Sequence, residues 1–148
     1  MILSYIESRI PTFIAIPGIK LGLANIAVIF TLYKLGAKEA AVISLIRVAL
    51  ISMLFGSPVS FIYSFTGAVF SLISMILLKK LTPLTALTIS VTGGVMHNVG
   101  QVLAACFMLS TDVIIYYLPF LLVSGTVAGI VVGTASALLV NRVKINYE

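Results

Sequence analysis

Charged residues are scarce in this 148-residue chain: they make up 9% of it, against roughly 25% in an average soluble domain. Apolar residues account for 61% of the chain, and the mean hydropathy is +1.24. A soluble fold of this composition would have too few polar side chains to cover its surface. The composition therefore predicts an integral membrane protein, and because no stretch resembles a linker we expect one domain over residues 1–148.

Several kinds of site are missing as well. The chain has no Gly-x-x-x-x-Gly-Lys loop, which excludes ATP hydrolysis by this chain alone. Its single cysteine, Cys106, excludes an intramolecular disulfide, and no Cys/His cluster indicates a metal site. The formal charge of +5 does not indicate a nucleic-acid partner, because the basic residues stand at the ends of apolar runs. We therefore expect no metal, no cofactor and no nucleic acid.

What the chain does have is a series of apolar runs near the ~20 residues that a spanning helix needs. Residues 1–10 are interpreted as the end of a first helix, and residues 11–20 as a loop that dips into the membrane. The full runs that follow, the first of them extended by residues 18–21, cover residues 22–35, 37–55, 59–78, 84–109 and 113–140. The prediction is an all-α membrane bundle of six helices, the first of which is short or truncated.

Prolines and one aspartate give local predictions at the ends of these runs. The turn Gly56, Ser57, Pro58 is expected to separate two helices. We expect Pro83 in the first turn of the helix that covers the run at 84–109. Asp112 could cap the last helix, and Pro119 could kink that helix.

Basic residues alternate between the connections and so predict the orientation. They occupy every second connection and the C-terminal segment: Lys34 and Lys38, Lys79 and Lys80, Arg142 and Lys144. The turns at 56–58 and 110–112 hold no basic residue. By the positive-inside rule we expect a multi-pass protein of the cell membrane, with its C-terminus in the cytoplasm and these two turns outside.

The stretch SVTGGVMHNVGQ, residues 90–101, interrupts the chemistry of its apolar run. His97 and Gln101 are four residues apart and share a helix face, whereas Asn98 points about 100° away from His97. Polar side chains within a bilayer must face protein or a cavity. Two interpretations stay open, a network of hydrogen bonds between helices and a ligand pocket in space left by glycines. A proton relay through His97 is a third, although no chain of carboxylates continues it.

Arg47 lies near the centre of its run, where a charge is costly unless it is paired or hydrated. It could pair with Glu7 or bond to carbonyl groups. Alternatively, its guanidinium could hold an anionic group of a ligand, since its fork of donors fits carboxylate and phosphate. Together with Lys20, Arg47 favours a ligand that carries a negative group.

Small residues form a stripe in the last run. Gly125, Gly129 and Gly133 repeat every four residues and are followed by Ala137, which gives a flat face for the close approach of another helix. This face could pack within the chain or dock another subunit. The same ambiguity applies to the alanines at positions 24, 27, 37, 40 and 41.

Three segments, IESRIP, IPGIKLGLANI and GGVMHNVGQ, resemble the Gx transporter family, also known as heptaprenyl diphosphate synthase component I. That family is similar to the substrate-binding S components of energy-coupling factor (ECF) transporters. The resemblance covers essentially the whole chain. It implies a six-helix subunit that captures a small nutrient from outside and docks on a T subunit driven by two ATPases. The positions that match the family's first loop, second helix and fifth helix are Pro17, Gly18, Lys20, Gly22, Asn25, Gly93, Gly94, His97, Asn98, Gly100 and Gln101.

The word synthase in the family's name needs a chemical test. Diphosphate chemistry of that kind uses clustered carboxylates to hold magnesium ions. This chain has one aspartate, Asp112, and three glutamates, with no cluster among them. We therefore expect no enzymatic activity from the chain alone. The alternative function is an accessory membrane subunit of polyprenyl diphosphate or quinone-related lipid metabolism, which would need a lateral groove facing the lipids.

The favoured interpretation is a substrate-binding membrane subunit of an ECF-type transporter for a small, anionic or polar micronutrient. Its expected partners are membrane lipids, the substrate, and the T and ATPase subunits. The loop after the first helix would act as a lid, and Tyr63, Tyr116 or Tyr117 would provide aromatic walls. The predicted substrate-binding residues are Lys20, Asn25, Arg47, His97, Asn98 and Gln101.

Overall fold

The structure, a computed structural model, describes the backbone of residues 19–55 and 57–143 and the side chains of residues 25–54 and 57–143. This part of the chain is helical and contains no strand, which confirms the predicted all-α class. Its elements are α1 (Ile19–Lys34), α2 (Ala37–Phe55), α3 (Pro58–Leu81), α4 (Ala86–Leu109), a 3-10 helix (Val113–Tyr117) and α5 (Leu118–Arg142). The helix expected over residues 1–10 lies outside the described residues, so the predicted total of six is not confirmed.

The described helices are arranged in a ring. Each contacts mainly two others, in the sequence α1, α2, α3, α4, α5 and back to α1. The most extensive contacts are those of α4, which packs between α3 and α5. The polar stretch of the sequence is therefore on the helix that is most enclosed by its neighbours.

A glycine turn and two N-caps explain where several helices begin or end. Gly36, with φ +141°, makes the turn between α1 and α2, a backbone conformation that suits glycine. The Ser57 hydroxyl accepts a hydrogen bond from the Ser60 amide at 3.2 Å, and Thr85 accepts one from Thr88 at 3.4 Å. The run at 37–55 coincides with α2 as predicted.

Four local predictions were wrong. Lys20, expected in a loop, belongs to α1, which begins at Ile19. Pro83 precedes α4 rather than standing in its first turn, because Thr85 supplies the cap. The Asp112 side chain makes no capping bond; Thr111 accepts instead from the Val113 amide. Pro119 lies in the first turn of α5, where its missing amide hydrogen costs nothing, and so it does not kink the helix.

The surface of the bundle suits a lipid environment. The segments Pro58–Leu81 and Val113–Arg142 are long and apolar enough to cross a membrane, with mean hydropathies of 2.0 each. Helix α4 is as long as α3, but it carries His97, Asn98 and Gln101 in its middle and is not among these two segments. Large apolar side chains are exposed on α2, α3, α4 and α5, among them Met53, Ile73, Phe107 and Val123. Such surface would be unfavourable in water and is favourable against acyl chains.

One end of the bundle, the basic end, carries Lys34, Lys38, Lys79, Lys80 and Arg142. Beneath it lies an apolar core formed by Val28, Ile29, Leu32, Ala40, Met75, Ala86, Ile89 and Val132. The Lys79 ammonium donates to the Leu32 carbonyl near the end of α1 and lies 4.9 Å from the centre of the Tyr33 ring. The Tyr33 hydroxyl in turn donates to the Leu84 carbonyl at 3.1 Å. These contacts connect α1 with α3 and with the segment before α4 at the basic end.

Candidate functional site

The two faces of α4 approach their neighbours through glycines. A Cβ atom on Gly94 would lie 2.6 Å from the Gly125 carbonyl oxygen, and one on Gly129 would lie 2.5 Å from the Cα of Val91. On the other face, a Cβ on Gly100 would lie 2.9 Å from the Thr66 carbonyl oxygen of α3. These distances are too short for any side chain, so α3 and α5 lie directly against the α4 backbone.

The glycine stripe of α5 is therefore covered by α4. Gly125, Gly129 and Gly133 contact the backbones around Gly94, Val91 and Leu87 in that order. Within this chain the stripe packs one helix onto the next, and its surface is not open to another subunit.

His97 points from α4 toward α3 and is 3% exposed. Its Cε1 atom lies 3.0 Å from the position that a Cβ on Gly67 would take. Both ring nitrogens are buried, and neither forms a hydrogen bond of good geometry with the described residues, although the Gly67 backbone is close enough to interact with the ring. The Arg47 side chain is close enough to interact electrostatically with the imidazole. The structure thus brings two of the predicted residues, His97 and Arg47, near each other.

Asn98 points instead toward α5. Its side-chain amide donates to the Leu121 carbonyl at 2.6 Å, and the residue is 2% exposed. The same carbonyl accepts a hydrogen bond from the Ser124 hydroxyl at 3.0 Å. The nearby Gly125 leaves room for the amide, because a Cβ there would lie 2.7 Å from its nitrogen. In this arrangement Asn98 holds two helices together.

A groove of about 450 Å³ lies near the end of the bundle opposite the basic end. Its polar lining is Gln101 from α4 and Ser60, Tyr63 and Ser64 from α3. Its apolar lining consists of Val102, Ala105, Ile114 and Leu121. We call this space the outer groove. Its size suits a small molecule, and its few polar groups among apolar ones are typical of a ligand site.

Of the other residues predicted near a ligand, only Tyr63 is part of the described lining of this groove. Tyr63 lines it, whereas Tyr116 and Tyr117 are 85% and 64% exposed and are not part of the lining. Asn25 is buried on α1 and is not part of the lining either. The side chain of Lys20, the loop expected as a lid and Glu7 lie outside the described residues. Their proposed roles therefore stay predictions.

Sequence reasoning missed Ser60, Ser64 and Gly67. These residues follow one another at spacings of four and three, so they occupy one face of α3. That spacing was visible in the sequence. A stripe of small residues is usually a packing face, so the spacing alone did not indicate a ligand site. The structure shows that this face of α3 lies against His97 and Gln101.

A scan of family models decides what the chain is related to. The family model described as heptaprenyl diphosphate synthase component I matches residues 1–139. The chain belongs to this family. No curated protein and no solved structure matches it significantly. Together with the apolar helices and the exposed apolar surface, membership of the heptaprenyl diphosphate synthase component I family identifies a membrane protein.

The chemistry available at the outer groove is recognition by hydrogen bonds. Three hydroxyl groups and one amide supply both donors and acceptors there. No group of three or more His, Cys, Asp or Glu side chains comes together within the described part of the chain. The described lining contains no carboxylate, so it offers nothing that would hold magnesium against a diphosphate.

Proposed function

We propose that this chain is the substrate-binding membrane subunit of an ECF-type transporter and takes up a small polar or anionic micronutrient. The observation that carries the proposal is the difference between the two ends of the bundle. The outer groove is open and lined with hydrogen-bonding groups. The described part of the basic end is instead filled by the apolar core and held together by the contacts of Lys79 and Tyr33.

The orientation of the bundle in the membrane decides from which side the outer groove can be filled. If the basic end faces the cytoplasm, as the positive-inside rule expects, the outer groove opens to the exterior. A nutrient would enter there and displace water from the hydroxyl and amide groups. The apolar core at the basic end would keep the nutrient from passing through this subunit without a further rearrangement.

The energy for that rearrangement must come from other subunits. The chain has no phosphate-binding loop, so the proposal requires ATPase partners coupled through a T subunit. No enzymatic role is proposed, because the chain's four acidic residues are dispersed along the sequence. Membrane lipids would contact the exposed apolar faces of α2 to α5.

Liposomes test this proposal against a stand-alone carrier. Purified chain should bind the small molecule that accompanies it through purification, yet transport none of it in liposomes under an ion gradient. Liposomes that also contain the T and ATPase subunits should accumulate the molecule when ATP is supplied. Gradient-driven uptake by the chain alone would overturn the proposal and favour a secondary carrier.

A second function is favoured by the description of the family, which names a component of heptaprenyl diphosphate synthase. An accessory subunit would present a polyprenyl or quinone-related lipid to a partner enzyme. The apolar residues Val102, Ala105, Ile114 and Leu121 give the outer groove some affinity for such a chain. Retention of a polyprenyl lipid in place of a polar small molecule would support this alternative.

A further inference from the structure

His97 is a buried polar side chain one helical turn from Gln101, which lines the outer groove. Both of its nitrogens are buried, and neither has a hydrogen bond of good geometry to the described residues. A buried polar group without a partner is unfavourable, so such groups commonly meet a ligand or a water molecule. The Gly67 backbone also interacts with the imidazole. A molecule that the chain binds would therefore compete with that contact for the N–H of a neutral ring, or take the second N–H of a protonated one.

Gln101 separates His97 from the outer groove. It is one helical turn beyond His97 on α4, and its side chain is part of the lining. Its Cγ atom and the His97 Cε1 atom each lie 3.0 Å from where a Cβ on Gly67 would be. The two side chains thus lie over the same glycine, with Gln101 on the side of the groove. A rotation of the long Gln101 side chain would connect the groove with the imidazole.

We propose that His97 forms a buried subsite beneath Gln101, and that the subsite takes a carboxylate or carbonyl oxygen of the ligand. This inference rests on the proposed function, since it extends the same groove. The imidazole would donate its N–H to that oxygen while Gln101 contacts another polar group of the ligand. The positive charge of Arg47 near His97 favours an oxygen acceptor and disfavours an ammonium group. A side chain at position 67 would contact both His97 and Gln101, so Gly67 lets these two residues lie against α3.

The chain's single histidine permits a direct test of access from the groove. Diethylpyrocarbonate modifies imidazole, and the ultraviolet absorbance of the carbethoxyimidazole product distinguishes this reaction from those with amines and phenols. The rate at which that absorbance appears in the purified protein reports on His97 alone. Gln101→Ala should raise that rate about tenfold, because removing the covering side chain increases the population of open states. The control Leu103→Ala, on an exposed side of the same helix, should leave the rate unchanged. Equal rates for the wild type and Gln101→Ala would show that Gln101 does not control access from the outer groove to His97.

A measurement on the wild-type protein tests the chemical class without any variant. In protein labelled with ¹⁵N-histidine, one residue gives all the side-chain signals, and sodium formate serves as the probe for a carboxylate. Formate should shift these signals saturably at constant ionic strength, while methylammonium chloride should leave them unchanged. An absent shift with formate, or equal shifts with both probes, would overturn the subsite. If formate shifts the signals saturably but the protein supports no ATP-dependent uptake, the subsite proposal stands and the transporter proposal fails. If the protein takes up a molecule that leaves the His97 signals unchanged, the transporter proposal stands and the subsite proposal fails.

Discussion

Asn98 and Gln101 are neighbours on α4, but they meet different surroundings. Asn98 is enclosed by α5 and donates to the Leu121 carbonyl, whereas Gln101 is partly exposed in the outer groove. The helical period of the sequence predicted that Asn98 would point away from His97 and Gln101. It could not predict which helix would be met on each side, because packing order is not encoded in the spacing of one helix.

Replacing these two residues by leucine should separate structure from binding. Asn98→Leu should lower the stability of the empty protein by about 1 kcal/mol, since it removes one buried hydrogen bond. Gln101→Leu should leave the melting temperature of the empty protein nearly unchanged, because no described residue depends on its amide. Thermal unfolding in detergent without added ligand measures both. A large loss of stability in Gln101→Leu would show that its role is structural packing.

At the scale of elements, helix positions were largely predictable from the apolar runs, and their ends were less so. Charges and glycines bounded the run at 37–55 well, and α2 coincides with it. The region after Thr111 was less predictable, because residues 113–117 are as apolar as a membrane helix and yet form a 3-10 turn before α5. Apolar character is the same in both conformations, and only the position of Pro119 favoured a late start.

The contact between α4 and α5 should tolerate side chains least where backbone meets backbone. Gly129→Ala would place its Cβ 2.5 Å from the Cα of Val91, so the helices must separate. Gly93→Ala would meet the Sδ of Met75 at 2.6 Å, and that flexible side chain can move. We predict that Gly129→Ala destabilises the protein by roughly 1–3 kcal/mol and Gly93→Ala by less.

Thermal unfolding of both glycine variants is the measurement. Val127→Leu is the control, because Val127 is exposed on α5 and its replacement should change stability by less than about 0.5 kcal/mol. If Gly129→Ala were as stable as Val127→Leu, the close approach of α4 and α5 would be contradicted.

For the whole molecule, the alternating basic connections predict which end faces the cytoplasm. A cysteine replacing Ser57 should react with a membrane-impermeant thiol reagent in intact cells, and a cysteine replacing Lys80 should not. The two positions lie at opposite ends of α3, and Cys106 is replaced in both variants. Labelling is read by mass shift, with permeabilised cells as the control in which both must react. The opposite pattern would place the outer groove on the cytoplasmic side and exclude capture from outside.

The site as a whole was only partly predictable. Gln101 and Tyr63 were expected near a ligand and line the outer groove, whereas the contribution of Ser60 and Ser64 was not anticipated. The reason is physical: a groove arises where four elements meet, and a single sequence shows its residues far apart. The lysines predicted only which end faces the cytoplasm, and the hydrogen bond from Lys79 to the Leu32 carbonyl of α1 depends on packing that one sequence does not show.

Native mass spectrometry of the protein released from detergent can show whether the outer groove holds a polar small molecule. We expect an adduct of one small molecule on the wild-type protein. The adduct should be lost or strongly reduced in Gln101→Leu and retained in Val127→Leu. A wild-type protein that carries only lipids, or an adduct that Gln101→Leu holds as well as the wild type does, would show that the groove is not a site for such a molecule.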